Sequence, residues 1–227
     1  MKKIKLDNVT LVAMAGVDIF STTRALIYSQ RGINFGKTLL ISHIKPWYLP
    51  SGIDYKYTTK TKDIYEWCYK IAYDLYKYIE TDYVMLVHND GFVVNPTAWH
   101  DVFLEYDYIG APWPIPEDGA YRDIDWNLIR VGNSVSLRSR KLLELPSKLN
   151  LTWPSRDGPY HEDGFFCCNY RHVFLEHGIK YAPLEVAKYF SHESMIPEIG
   201  GIKPFAFHKW AGSNSKYPGY WMNKFLK

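Results

Sequence analysis

Runs of apolar residues alternate over the first ninety positions with segments in which apolar residues recur every three or four positions. Residues 10–15, 37–43 and 83–87 are nearly continuous apolar runs, typical of strands that are buried on both faces of a sheet. In residues 63–79 the apolar side chains repeat at helical spacing, which predicts an amphipathic helix. Strands that alternate with helices predict an α/β fold with a mostly parallel central sheet.

A shorter helix is predicted between the first two strands. Asp18 is a good N-cap, and Ile19, Thr23, Leu26 and Ile27 would share one face of the helix that follows it. At 227 residues, the chain fits one large domain better than two small ones.

The pattern becomes less regular after residue 90. Residues 113–127 and 146–160 are rich in proline, aspartate and aromatic residues, and we predict long loops that form the walls of a cleft. The other periodic segments predict a helix-to-strand passage at residues 103–113, strands at 131–137 and 187–193, and helices at 139–143 and 163–177, the last ended by Gly178.

Composition narrows the classes of partner. Aromatic residues make up 17% of the chain, but such rings both stack on sugars and fill hydrophobic cores, so composition alone does not decide between these roles. Lys plus Arg number 27 against 24 for Asp plus Glu, and the basic residues are scattered. This distribution argues against nucleic acid as a partner.

Cysteine usage and the apolar runs indicate the compartment. Cys68, Cys167 and Cys168 form no disulfide framework and lack metal-ligand spacing, which indicates a reducing cytosol. No secretory core follows the basic residues 1–5, and the apolar run at 9–15 is too short to span a bilayer. We therefore expect a cytoplasmic protein without a transmembrane segment. Its aromatic loops and slight basicity would suit peripheral association with the inner face of the membrane.

The first candidate site follows the third predicted strand. His88, Asn89 and Asp90 come directly after an apolar run, and Gly91 follows them. In an open parallel sheet, ligands bind beyond the carboxyl ends of the strands, and a carboxylate there suits a divalent cation that bridges substrate phosphates. The same residues also fit an ordinary turn.

The second candidate is the adjacent pair Glu162 and Asp163. Acidic residues are favoured at the start of a helix because they face the positive end of its dipole, which explains one of the two. The other could serve as a general base.

Two further segments carry polar residues with more than one interpretation. Gly132 permits close backbone approach and Asn133 can present an amide to hydroxyl groups. Arg138 and Arg140 could contact phosphate or be surface residues near a helix start. His208 lies between aromatic residues, and a lone histidine is more often structural than a metal ligand.

Taken in order, these segments resemble a small GT-A-type glycosyltransferase family of bacterial polysaccharide loci and large DNA viruses. The resemblance extends over roughly residues 9–210. Its motifs are Asp-Gly-Phe-Val-Val-Asn-Pro from Asp90 with Ala98-Trp99, Tyr-Asp-Tyr-Ile-Gly-Ala-Pro-Trp at 106–113, Val-Gly-Asn at 131–133 with Ser-Leu-Arg-Ser-Arg-Lys-Leu-Leu at 136–143, Glu162-Asp163, Phe-Ser-His-Glu at 190–193 and Phe-Ala-Phe-His at 205–208.

The resemblance implies a single Rossmann-like GT-A domain over residues 1–227, with a nucleotide-binding half at about 1–95 and a catalytic and acceptor half at about 96–227. It implies a nucleotide-diphosphate sugar donor, with UDP favoured, a glycan or lipid-linked acceptor, and Mn²⁺ or Mg²⁺. Asp90 and His208 would bind the metal, and Asp163, beside Glu162, would be the base of an inverting transfer. Donor contacts would come from Ala13, Ala15, Gly16, Thr23, Arg24, His88, Asn89, Gly132 and Asn133.

The sequence also departs from the pattern of that family. His88 stands where Gln is common, and the usual glycine-rich run reads Gly-Asn-Ser-Val-Ser at 132–136. Side chains at Ser134 and Val135 would narrow the space near the donor sugar.

Trp113, Trp126 and Trp153 would shape the acceptor side. The alternatives are a retaining transferase, a non-catalytic or degenerate glycan-binding module, and a nucleotidyltransferase, which lacks support because no phosphate-cradling loop with a Lys follows the first strand.

Overall fold

A computed structural model describes residues 3–208 of the chain. The last two residues of the resemblance range, Lys209 and Trp210, lie outside the described residues. The described residues form nine strands: β1 Ile4–Met14, β2 Ile33–Ser42, β3 Asp54–Tyr57, β4 Tyr83–Leu86, β5 Gly91–Val93, β6 Tyr108–Pro112, β7 Val131–Ser139, β8 Ser191–His192 and β9 Ala206–His208.

Six α-helical segments connect these strands in the described residues. They are α1 Ile19–Ser29, α2 Ile64–Tyr73, α3 Arg140–Lys148, α4 Glu162–Gly164, α5 Arg171–Glu176 and α6 Leu184–Phe190. A π-helical turn, Phe165–Asn169, joins α4 to α5, and short 3₁₀ turns occur at Leu75–Tyr78, Pro96–Ala98, Asp101–Glu105 and Pro197–Ile199.

A mixed six-stranded sheet in the order β3-β2-β1-β4-β7-β6 forms the centre of the protein. The first four strands are parallel to one another, whereas β7 is antiparallel to both β4 and β6. The predicted α/β fold with a mostly parallel central sheet is therefore confirmed. A smaller sheet in the order β5-β9-β8 lies beside it.

The central strands are apolar on both sides because both faces of the sheet are covered. Along β1, Leu11 and Ala13 belong to one hydrophobic cluster, while Val12 and Met14 belong to the other. This alternation follows from the period of two in a strand. A continuous apolar run is therefore what such a strand requires.

Side chains close the amino ends of three helices as N-caps. Asp18 Oδ1 accepts a hydrogen bond from the Ser21 N–H at 2.9 Å, which confirms the predicted cap of α1. Ser139 Oγ accepts one from the Leu142 N–H at 3.1 Å at the start of α3. Asp63 caps α2 in the same way. Because α1 and α2 follow β1 and β3 through these caps, their amino ends point to the edge of the sheet where the parallel strands end.

Three predicted elements differ from the structure. The strand predicted at 187–193 is largely α6, because the buried residues Ala187 and Phe190 are three positions apart, as on one helix face. The helix predicted at 163–177 is interrupted by a π turn in which four consecutive residues are buried. The helix predicted at 63–79 ends at Tyr73. Ile27, predicted to share a helix face with Leu26, is exposed, whereas Leu26 is buried.

None of the helices in residues 3–208 has the length and apolar character needed to cross a membrane.

Candidate functional site

A cleft of about 760 Å³ opens at the edge of the sheet where the parallel strands end. Loops that follow β1 and β4, the amino end of α2, the segment after β6 and the turn at Glu162–Gly164 surround it. This volume lies within the range of about 300–1,000 Å³ typical of small-molecule sites. Its position beyond the carboxyl ends of parallel strands is where open α/β sheets bind ligands.

A tight turn after β4 carries Asp90 into this cleft. The backbones of His88 and Gly91 exchange hydrogen bonds of 2.7 and 3.2 Å, so the turn interpretation of the sequence is correct. Gly91 also pairs with His208 of β9. A Cβ on Gly91 would lie 2.5 Å from the side chain of Val135, so only glycine allows this close approach. The turn therefore also places a carboxylate beside a histidine.

His208 lies between two carboxylates. Its Nε2 is 3.4 Å from Asp90 Oδ1, and its Nδ1 is 3.0 Å from Glu193 Oε1. Burial acts to lower the pKa of His208, but the hydrogen bonds and charges of Asp90 and Glu193 outweigh it and raise the pKa to about 10. Asn133 Nδ2 lies 3.3 Å from the same Nδ1.

The donor atoms around His208 fit a divalent cation. Neighbouring ligands of an octahedral ion with bonds of about 2.1 Å are about 3 Å apart, close to the 3.4 Å between Asp90 Oδ1 and His208 Nε2. The contact from His208 Nδ1 to Glu193 is the partner that a metal-bound histidine usually has. Residues 3–208 contain no group of three or more His, Cys, Asp or Glu side chains placed to hold a metal ion, so substrate oxygens would have to complete the coordination.

His88 provides a further unused contact in the cleft. Its buried Nε2 has no hydrogen-bond partner within the described residues. Burial, followed by the charge of His208, lowers the pKa of His88 to about 4, so the ring is neutral at pH 7. The ring packs edge-on against Trp67 with centroids 5.1 Å apart. A buried polar atom without a partner in a cleft leaves a hydrogen bond for a ligand.

Glu162 forms part of the floor of the cleft and is held by a buried ion pair. Its carboxylate accepts hydrogen bonds from Arg138 Nη2 at 2.9 Å and Ser134 Oγ at 2.5 Å. Burial acts to raise the pKa of Glu162, but Arg138 and Ser134 outweigh it and the pKa is lowered. Arg138 is fully buried, so its assignment to phosphate or to the surface was wrong. Arg140, by contrast, is half-buried on its helix and pairs with Glu144.

Asp163 is the member of the acidic pair that is available for chemistry. Its Oδ1 accepts a hydrogen bond from the Gly164 N–H at 2.8 Å, and no side-chain cation pairs with it within residues 3–208. Burial, the charge of Glu162 and the charge of Glu193 together raise the pKa of Asp163 to about 7. A carboxylate with a pKa near neutrality, lining a cleft, can accept and return a proton.

Of the residues predicted to contact a donor, only some line the cleft. Gly16, His88 and Asn89 do so, together with the predicted metal and catalytic residues. Ala13 and Ala15 are instead buried in the hydrophobic core.

Two more predicted donor contacts are engaged within α1. The Thr23 hydroxyl donates to the Ile19 carbonyl at 2.7 Å, as a helical threonine often does. The Arg24 guanidinium lies over the Phe20 ring at 4.3 Å. Neither residue borders the cleft in the described structure.

The residues of the altered glycine-rich run support the cleft from behind. A Cβ on Gly132 would lie 2.0 Å from the indole of Trp113, so glycine is needed for packing. Asn133 is 1% exposed, adopts a φ of 84° and accepts from the Val135 N–H at 2.8 Å. Ser134 does line the cleft, but Val135 is fully buried in the core and does not narrow the donor space.

The three tryptophans predicted to shape the acceptor side have different environments. Trp113 lines the cleft and stacks on Tyr121 with centroids 4.5 Å apart. Trp126 is 71% exposed on the loop between β6 and β7. Trp153 packs into an aromatic cluster that includes Tyr65 and Phe165 and does not reach the cleft.

Glu193 is the functional candidate that sequence reasoning treated as scaffold. It lies directly after β8, which pairs in parallel with β9 and thereby brings it to His208. The sequence signals were a carboxylate at the polar end of a predicted strand and its place in the Phe-Ser-His-Glu motif at 190–193. Neither the strand pattern nor the carboxylate indicates that Glu193 contacts His208.

The fold is similar to that of the apo-form glycosyltransferase GlyE of Streptococcus pneumoniae TIGR4. The match covers 100% of this chain and 59% of that chain, with a TM-score of 0.51 and 10% sequence identity. The chain thus spans less than two thirds of GlyE, and the likeness concerns the fold. No curated protein matches the sequence.

A family profile described as "Protein of unknown function (DUF5672)" matches residues 53–208, more than half of the chain. The matched range contains Asp90, Glu162, Asp163, Glu193 and His208, and so all of the polar cluster described above. The chain belongs to the DUF5672 family.

Proposed function

We propose that the protein is a metal-dependent glycosyltransferase with a GT-A domain. It would transfer a sugar from a nucleotide-diphosphate sugar, with UDP favoured, to a hydroxyl of a glycan or lipid-linked acceptor. The observation that carries the proposal is that Asp163, with its pKa near 7, and the Asp90–His208 pair line one cleft at the ends of the parallel strands. The fold likeness to a glycosyltransferase supports it.

The charge of the cleft favours a bound cation. Its lining in the described residues includes six carboxylates but only Arg122 among arginines and lysines. Glu162 is paired with Arg138, and Asp90 and Glu193 flank His208, so the cleft offers a diphosphate little free positive charge. Asp90 and His208 are the residues that would hold Mn²⁺ or Mg²⁺, with His208 releasing its proton as the ion binds. The bound ion would supply positive charge opposite the leaving diphosphate.

The residues of the chain would divide the remaining work. Asp163 accepts the proton of the acceptor hydroxyl while the hydroxyl oxygen forms a bond to the anomeric carbon of the donor sugar. The bond from that carbon to the diphosphate oxygen breaks, and the nucleoside diphosphate leaves with the electron pair. Asp163 then returns the proton to water. A direct displacement of this kind inverts the anomeric centre.

Arg138, through its ion pair with Glu162, would position the neighbouring Asp163. This buried ion pair ties the turn at α4 to Arg138, near the carboxyl end of β7. A rotation of this turn would displace the neighbouring carboxylate from the cleft. Fixed placement of a catalytic group is worth several kcal/mol, because the reacting groups need not be ordered during the reaction.

A donor panel followed by a product assay tests the proposal. UDP-, GDP-, CMP- and dTDP-sugars should be screened by thermal shift with and without Mn²⁺, because a ligand of the native state raises the melting temperature. The bound donor should then be consumed with release of nucleoside diphosphate, and NMR should show an inverted product anomer. Retention would indicate a retaining transferase, and pyrophosphate release a nucleotidyltransferase. Glycan binding without donor consumption would indicate a binding module and contradict the proposal.

A further inference from the structure

Exposed apolar side chains are concentrated at the edge of the sheet that carries the cleft. Trp47 is 95% exposed, Tyr48 is 64% exposed and Tyr57 is 63% exposed, and all three follow or end the parallel strands β2 and β3. Large exposed apolar surfaces are uncommon on monomeric proteins unless they contact a partner. We refer to residues 44–62, which contain these side chains, as the basic aromatic segment.

The two arms of this segment leave the sheet side by side. β2 and β3 are parallel neighbours, and beyond them the Thr58 N–H donates to the Ser42 carbonyl at 3.1 Å. The phenol of Tyr55 donates to the same carbonyl at 2.9 Å. Residues 44–48 and 59–62 therefore emerge from adjacent strand ends and form one surface.

The charge of the basic aromatic segment is strongly positive. Its lysines, Lys45, Lys56, Lys60 and Lys62, are all exposed, and none forms an ion pair within residues 3–208. Its acidic residue, Asp54, lies 3.8 Å from Lys37 outside the segment. Unpaired lysines beside aromatic rings on one surface are complementary to a negatively charged, partly apolar partner.

The segment also adjoins the mouth of the cleft. Thr61, near its end, lines the cleft together with two exposed apolar residues, Val17 and Ile64. β3 is the outermost strand of the sheet, so no further strand covers this side. The basic aromatic segment and the cleft opening therefore face the same side of the molecule.

We propose that the basic aromatic segment docks on the surface of an anionic lipid bilayer. Tryptophan and tyrosine favour the membrane–water interface, where the ring is apolar and one end stays hydrated. Lysines near an anionic membrane each contribute about fivefold to binding. Protein–protein interfaces, by contrast, are depleted in lysine, so the composition favours a membrane over a protein partner.

Docking in this way has a consequence for the substrate. With the segment on the bilayer, the cleft mouth beside Thr61 lies at the level of the lipid headgroups. A lipid-linked acceptor can then enter from the membrane, whereas a soluble glycan gains nothing from docking. This consequence rests on the proposed function, while the docking itself depends only on exposure and charge.

Vesicle flotation of the full chain tests the docking. The probes are vesicles of phosphatidylcholine alone and of phosphatidylcholine with phosphatidylglycerol, at low and high salt. We expect binding to the anionic vesicles that weakens with salt, since salt screens surface charges. Trp47→Ala should lower the partition coefficient about tenfold. Lys60→Glu should lower it about fivefold or more.

Two substitutions at the opposite edge of the sheet provide matched controls. Leu175→Ala removes an exposed apolar side chain, and Lys180→Glu reverses an exposed lysine. Lys180 is joined through its N–H to Asp107, directly before β6, and so lies at the other end of the strands. Both variants should bind anionic vesicles like the wild-type protein.

Three results would overturn the docking proposal. The first is no binding of the wild-type protein to anionic vesicles at low salt. The second is binding of the Trp47→Ala and Lys60→Glu variants that equals wild-type binding. The third is a loss of binding in the two control variants as large as the loss in Trp47→Ala and Lys60→Glu. Release of nucleoside diphosphate in vesicle-free solution is measured in parallel for all variants, and we expect it to be unchanged. If the wild-type protein shows no release but floats as predicted, the transferase proposal fails and the docking stands.

Discussion

Replacing Asp163 with asparagine should stabilise the protein while it removes the proposed base. Burial and the charges of Glu162 and Glu193 raise the pKa of Asp163 from 3.8 to about 7. Between these values the unfolded chain loses the proton and the folded protein keeps it. Stability therefore falls by about 1.36 kcal/mol per pH unit as the pH rises, and levels off above about pH 7. The total amounts to about 4 kcal/mol.

Asparagine has the same shape and can still accept from the Gly164 N–H, but it carries no charge. We expect the variant to match the wild-type protein near pH 4 and to exceed it progressively up to about pH 8. For a chain of this size, 1 kcal/mol corresponds to about 2–4 °C in melting temperature. Transfer should fall by about two to four orders of magnitude.

The assay is a set of thermal melts at closely spaced pH values, combined with a transfer assay at each pH. In the wild-type protein, transfer should rise with pH through about 7 as Asp163 ionises. Asp157→Asn, which changes an exposed carboxylate outside the cleft, should alter neither curve. The reasoning is refuted if Asp163→Asn follows the pH dependence of the wild-type stability, or if it transfers sugar at the normal rate.

Three further predictions address the support of the site. Arg138→Met should lower the free energy of unfolding, measured by urea titration, by about 3–5 kcal/mol, because Glu162 is left buried and unpaired. Adding Glu162→Gln to this variant should recover part of the lost stability. Gly132→Ala should lower the melting temperature, since its Cβ would overlap an indole, whereas Gly164→Ala has free space and should not. Glu193→Gln should weaken Mn²⁺ binding about 10–100-fold in calorimetry, because Glu193 holds the ring of His208. An unchanged affinity for Mn²⁺ would contradict this role.

Buried strands could be predicted from the sequence because burial on both faces leaves a continuous apolar run. β1, β2 and β4 were found in this way. β3 was missed because, as an edge strand, it has no fully buried residue and therefore no apolar pattern. The missed strand forms part of the basic aromatic segment, so the pattern failed where exposure has a functional interpretation.

The position of the site could be predicted, but the roles within it could not. A carboxylate directly after β4 must lie at the sheet edge, which placed Asp90 in the cleft. The division of work between Glu162 and Asp163 depends on Arg138, which reaches one carboxylate from a distant strand. Glu193 likewise acquires its role only through the pairing of β8 with β9. Contacts between residues far apart in sequence leave no local pattern.

Calorimetric titration of UDP into the protein, with and without Mn²⁺, tests the central claim most directly. UDP should bind in the presence of Mn²⁺ and lose at least about tenfold in affinity without it, because the metal-free cleft offers the diphosphate little free positive charge. Asp90→Ala, checked for an intact melting transition, should remove this dependence on Mn²⁺. Equal affinity with and without the ion in the wild-type protein, or unchanged Mn²⁺-dependent binding in Asp90→Ala, would contradict the account.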